Sequence, residues 1–134
     1  TRRKLVTCLE NKMDWLSQRL ASFTYAFRGV VTLIKEQANA QIHALATGLV
    51  FVLALSLDIS RSEWQSLILI VALVWLAEGF NTALEYLADA AVPQRHPLIA
   101  KAKDVAAAAV LITAVFAVVM AGLIFVPYLA SFAD

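Results

Sequence analysis

The sequence predicts an all-α integral membrane protein, with three transmembrane helices preceded by an N-terminal amphipathic helix on the membrane surface. Three observations carry this. Of the 134 residues 61% are hydrophobic and 16% charged, with a mean hydropathy of +0.75, a balance that soluble domains rarely have. Long apolar runs recur through the last two thirds of the chain, and most of the Lys and Arg residues gather ahead of the first of them. The net charge is +1, and no nucleic acid is expected as a partner.

Residues 1–18 read as an N-terminal extension and residues 19–134 as the membrane domain. In the extension Leu5, Leu9 and Leu16 suggest a short amphipathic helix, and Asp14 or Ser17 could cap the helix after it. From about residue 20 to 38, Phe23, Phe27, Val30 and Ile34 recur at three or four residues, with Arg28 and Lys35 on another face. Such a helix can lie among anionic headgroups with its apolar side down, or pack on other protein. The first span is expected over about residues 40–58, with Gln41 and His43 at one interface and Asp58 at the other. The second runs over about 63–89, because the uncharged stretch from Trp64 to Ala77 reaches spanning length only by continuing through Glu78 and Glu85. The third covers about 101–129, and nothing between Asp104 and Asp134 is charged, well beyond the roughly 20 residues a crossing needs.

Lys and Arg set the orientation. Arg2, Arg3, Lys4, Lys12, Arg19, Arg28 and Lys35 precede the first span, Arg95, Lys101 and Lys103 lie in the second connection, and the first connection holds only Arg61. The N-terminus and second connection are therefore expected in the cytoplasm and the C-terminus outside. Trp64, Pro127 and Tyr128 fit interfacial aromatics and a helix terminator at the outer side, whereas Trp75 does not fit such a belt. No cleavable leader is expected, since the first long apolar run begins late and lacks a small-residue cleavage site. Cys8, alone, implies neither a disulfide framework nor a zinc site.

The stretch EGFNTALEYLAD places Glu78, Asn81, Glu85 and Asp89 on one face at spacings of three and four. An ionised carboxylate costs about 2.5 to 3.5 kcal/mol at the bilayer centre, so such residues mark a site. Two carboxylates with an amide between them can ligate a hard cation such as Mg²⁺ or accept a proton from a hydroxyl. Arg95, His96, Lys101 and Lys103 come in the next connection and could hold polyphosphate oxygens, with Lys101 and Lys103 just before a helix N-terminus. Together with a lipid-facing position these groups suit phosphoryl transfer to a lipid alcohol, although periodicity by itself reaches only a cation or polyphosphate site. Polar groups that merely join helices, at about 0.6 kcal/mol on average, would account for Asn81 and Thr82 but not for the two acids beside a basic loop. His43 reads as a helix-end or interfacial histidine. Gly29, Gly48, Gly79 and Gly122 are scattered, so there is no glycine-rich phosphate loop or protein-kinase motif set. The acids also lack the Glu-x-x-His pairing of di-iron bundles.

EGFNTALEYLAD, followed by RHPLIAKAKDVAAAAV at residues 95–110, resembles the prokaryotic diacylglycerol kinase and undecaprenol kinase family of small membrane enzymes. The likeness covers roughly residues 20–127, including YAFRG at 25–29 and NAQIH at 39–43. The resemblance implies a homotrimer with active sites between subunits, using ATP and Mg²⁺ to phosphorylate a lipid hydroxyl at the cytoplasmic face of a prokaryotic inner membrane. It implies Glu78 as general base, Asn81 as the group that orients that base or the phosphate, and Glu85 as a metal ligand. It also implies that Asp89, Gln94, Arg95, His96, Lys103, Asp104 and Tyr25 contact ATP, with Arg19 as a substitute basic contact. The family's second metal carboxylate falls on Gln37, while Glu36 is one residue early. One residue turns a helix by about 100 degrees, so Glu36 serves only if the helix is irregular there; otherwise Gln37 coordinates more weakly through its carbonyl oxygen. NTALE and the HPL stretch at 96–98 lean towards undecaprenol rather than diacylglycerol. The alternatives are a small ion- or proton-coupled transport subunit, which leaves the basic loop unexplained, and a non-catalytic assembly module.

Overall fold

The structure is a computed structural model that describes residues 2–131, with side chains for Trp15 and for residues 17–131. The expectations at Leu5, Cys8, Leu9, Asp14 and Leu16 fall outside the described side chains. Four helices run in order, α1 (Arg2–Glu36), α2 (Ala38–Ser56), α3 (Arg61–Ala91) and α4 (Pro97–Ala130). They divide into two compact units, Thr1–Glu36 and Gln37–Asp134.

In the first unit α1 is a single helix of 35 residues that passes Asp14 and Ser17 without a break. No Pro and only Gly29 interrupts it, and Leu, Lys, Arg, Gln and Glu favour the helix throughout. Phe23, Phe27, Val30 and Val31 are exposed. Arg19 and Arg28 lie over aromatic rings of their own helix, 5.4 Å from the centre of Trp15 and 5.8 Å from that of Tyr25. The helix stops because Gln37 is extended, at φ −107° and ψ 115°. That is the irregularity at the α1–α2 junction on which a role for Glu36 depends, since helical periodicity no longer relates Glu36 to Asn39 and His43.

In the second unit α2, α3 and α4 are each long and apolar enough to cross a membrane. Their 19, 31 and 34 residues give lengths of about 28, 46 and 51 Å, against a hydrocarbon layer of about 30 Å. α3 packs along α4 over most of its length, and α2 against α3 more sparingly. The packed core sits where α2 turns into α3 and α4 ends: Ala54, Ile59, Leu67, Ile124 and Phe125 are buried there, flanked by Trp64 and Phe51 edge to face at 5.7 Å. Trp64 thus packs inside the bundle as well as marking a helix end.

Local chemistry fixes this end. Asp58 adopts φ +50°, and the Ile59 amide reaches back to the Ala54 carbonyl at 3.4 Å, which closes α2 in a Schellman motif whose apolar contact is Ala54 with Ile59. Ser60 then starts α3 with a capping box: its hydroxyl accepts from the Glu63 amide at 3.3 Å, and its own amide donates to Glu63 Oε2 at 2.8 Å. The same Oε2 accepts from the Tyr128 hydroxyl at 2.7 Å, tying the end of α4 to the start of α3. Pro127 does not terminate α4, which runs to Ala130; having no N–H, it leaves the Leu123 carbonyl without its helical donor one turn back. Ser60→Ala is expected to destabilise the protein by about 1 kcal/mol, visible as a lower thermal midpoint in detergent; an unchanged midpoint would mean that the cap contributes nothing.

Farther along, Trp75 Nε1 donates to Thr47 Oγ1 at 3.1 Å. This explains an indole in mid-span, since a polar group in hydrocarbon must find its partner within the protein.

Candidate active site

The polar site lies at the other end of the three-helix unit. Counting from Arg61, Glu78 stands 17 residues along α3, about 26 Å at 1.5 Å per residue, just inside the roughly 30 Å hydrocarbon layer. Glu85 and Asp89 lie two and three steps of three or four residues further along the same face and project past it. α3 can carry four polar groups because its length exceeds the membrane, so only the first of them has to be sheltered.

Shelter is what the structure gives. Glu78 is 1% exposed, Thr82 4% and Asn81 5%, the only buried polar or charged side chains among those described. Glu78 faces α2, where His43 Nε2 stands 3.9 Å from its Oε2, and neither atom has a hydrogen-bond partner. Asn81 turns towards Glu85 instead: its Nδ2 donates to Glu85 Oε1 at 3.1 Å, holding a half-buried carboxylate in one orientation. Gln37 Nε2 donates to the Tyr86 hydroxyl at 3.4 Å. The three pairings Gln37–Tyr86, His43–Glu78 and Thr47–Trp75 step in opposite directions along α2 and α3, as antiparallel neighbours must.

Cations come from the α3–α4 connection and the start of α4. Lys103 Nζ donates to Asp89 Oδ1 at 2.6 Å, an ion pair in which Lys103 is 34% exposed and Asp89 68%. Beside it the connection folds round an open cavity of about 540 Å³ lined by Asp89, Gln94, Arg95, His96 and Lys103 among others, within the size range of small-molecule sites. α4 begins at Pro97 and not at residue 101, since Pro suits the first helical position and His96 caps it by accepting the Leu98 amide on Nδ1 at 3.2 Å. Lys101 and Lys103 therefore sit inside α4, and the helix start offers its amides to His96 before any anion.

Of the residues expected at the site, Glu78, Asn81 and Glu85 form one connected face, and Asp89, Gln94, Arg95, His96 and Lys103 gather round the loop cavity. Asp104, next to Lys103, is exposed and does not line that cavity. Arg19, Tyr25 and Glu36 belong to the α1 unit. His43 is the residue the sequence did not reveal: a lone histidine on an apolar helix carries no sign of what it faces, and only the α2–α3 register brings it to Glu78. Among the described residues no three His, Cys, Asp or Glu side chains gather at one point. Glu85 nonetheless fits a hard cation, since Asn81 fixes the direction of its oxygen ligands.

Fold and site define a membrane protein of three spans with a sheltered carboxylate at one end and a basic loop beside it. The chain belongs to the prokaryotic diacylglycerol kinase family, which it matches over residues 24–125, and is a lipid kinase. It is 34% identical over 114 residues to the undecaprenol kinase of Bacillus subtilis, covering 85% of this chain and 93% of that protein. Likeness to the diacylglycerol kinase of Synechocystis is 39% over 113 residues, 84% of this chain and 65% of the relative. With the Escherichia coli K12 diacylglycerol kinase it is 33% over 111 residues, 83% and 91% of the two chains. These likenesses give the transport-subunit alternative no support.

Proposed function

We propose that this protein transfers the γ-phosphate of ATP, with Mg²⁺, to the hydroxyl of a membrane lipid alcohol, undecaprenol first and diacylglycerol second. The observation that carries this is the buried Glu78, held by α3 at the hydrocarbon boundary with the Asn81–Glu85 pair next along the same face and the Asp89–Lys103 pair beyond it. A lipid hydroxyl reaches that depth while its chain stays in hydrocarbon, and a water-soluble nucleotide reaches the loop from the other side. The NTALE and HPL stretches favour undecaprenol.

In this account Glu78 takes the proton from the attacking hydroxyl, and Asn81 fixes the carboxylate of Glu85. Lys103, Arg95, Gln94 and His96 hold the phosphates, Asp89 orients Lys103, and Asp104 extends the nucleotide contact from the α4 surface. For Tyr25 and Arg19 the family resemblance implies contacts to the base and phosphates. Glu85 would hold Mg²⁺, which when bound would supply charge neutralisation for the phosphates, and the family resemblance implies Glu36 as the second ligand. The N-terminus and loop face the cytoplasm, where positive charge collects. The homotrimer rests on the family resemblance; the groove of about 660 Å³ between α3 and α4, lined by Ala102, Ala106, Ala109 and Asn81 among others, offers small residues that allow close helix approach.

The metal part is tested by titrating Mg²⁺ into chelator-treated protein while following phosphate transfer. Activity should fall to background without the ion, and Glu85→Ala should need a higher Mg²⁺ concentration for half-maximal rate. Full activity under chelation would remove the metal from the account.

A further inference from the structure

Two buried polar atoms without partners face each other across the α2–α3 contact: His43 Nε2 and Glu78 Oε2, 3.9 Å apart. Buried polar groups in folded proteins are hydrogen-bonded in all but a few cases, and each orphan needs a reason. A separation of 3.9 Å is too long for a direct bond, but one oxygen atom can sit about 2.8 Å from both. Such an oxygen must donate to the carboxylate and accept from the imidazole N–H. A hydroxyl does both.

His43 also lines a half-open cavity of about 280 Å³ between α2, α3 and α4, whose wall includes Ile42, Ala46, Thr47, Val74 and Ala117. The one hydroxyl in that group, on Thr47, already accepts from Trp75, so the cavity is an apolar lodging that meets the orphaned pair at His43. A hydroxyl at the end of a hydrocarbon chain matches both parts.

We propose that the acceptor hydroxyl is held between His43 Nε2 and Glu78 Oε2 with the adjoining hydrocarbon in this cavity, which makes His43 a second catalytic residue. The proposal rests on Glu78 as base. His43 donates from Nε2 to the hydroxyl oxygen and so fixes the direction of the lone pair that attacks. As the oxygen bonds to the γ-phosphorus, the bond from that phosphorus to the β,γ-bridging oxygen breaks and its electron pair leaves on ADP. The hydroxyl proton passes to Glu78 Oε2, while His43 keeps its own.

The test compares His43→Ala, His43→Gln and Glu78→Gln, purified in undecaprenol and diacylglycerol mixed micelles, with kcat and KM measured separately for lipid and ATP. Losing a hydrogen bond to the reacting hydroxyl should lower kcat/KM for the lipid about tenfold to hundredfold, with KM for ATP unchanged. His43→Gln, whose amide N–H reaches about as far as Nε2, should recover most of the loss. A wild-type rate in His43→Ala overturns the proposal, as do equal losses in the Ala and Gln variants with KM for ATP shifted alongside. Thermal midpoints in detergent check folding, and His43→Leu replaces His43→Ala if the smaller side chain unfolds the bundle. An active Glu78→Gln would instead remove the base, whereas an inactive Glu78→Gln beside a normal His43→Ala removes only the bridged hydroxyl.

Discussion

Glu78→Gln is expected to reduce phosphate transfer by about 10² to 10⁴, the range that a general base contributes, without lowering the thermal midpoint. Gln keeps the volume and can still accept a hydrogen bond at a position only 1% exposed, and it carries no charge into an apolar surrounding. Since burying an amide costs less than burying a carboxylate, a purely structural Glu78 predicts equal or higher stability and retained activity. A catalytic Glu78 predicts a stable, inactive protein. Initial rates and melting in the same detergent separate the two, and retention of more than a tenth of the rate argues against Glu78 as base.

The second large effect falls on Lys103. Its ion pair with Asp89, at 2.6 Å and partly in solvent, contributes on the order of 0 to 1 kcal/mol to stability, so Lys103→Ala should fold normally. Its value lies in the cation beside the loop cavity, which can exchange Asp89 for a phosphate. Removing one charged stabiliser of a transferring phosphoryl group costs about 10² to 10³ in rate, and a similar loss in kcat/KM for ATP is expected here. Lys103→Arg should recover part of it, since the charge remains but the point geometry does not. A Lys103→Ala enzyme with unchanged ATP kinetics would place the nucleotide elsewhere.

Much of this was legible in the sequence because membranes make sequence unusually informative. Three spans are evident from apolar length, and Glu78, Asn81 and Glu85 stand out because polar residues in hydrocarbon need a reason. Element boundaries were less legible where side chains, not hydropathy, set them. α4 starts at Pro97, four residues before the expected start at residue 101, because His96 caps it; the Pro was the available signal. α1 runs unbroken through Ser17 since a good capping residue starts a helix only where the preceding chain leaves one. Contacts between helices were not legible at all. Trp75 looked misplaced until Thr47 accepted its N–H, and His43 looked interfacial until the α2–α3 register set it against Glu78. Helical periodicity fixes which residues share a face, not which face of a neighbour they meet.

The central claim, phosphate transfer to a lipid alcohol, is tested most directly by incubating the purified protein with ATP labelled in the γ-phosphate and Mg²⁺ in mixed micelles. Undecaprenol and diacylglycerol are offered in parallel, and the extracted lipid is counted. Labelled lipid with at least one alcohol, the larger amount from undecaprenol, is the predicted result. No label in either lipid, from protein with a normal melting transition, would contradict the account.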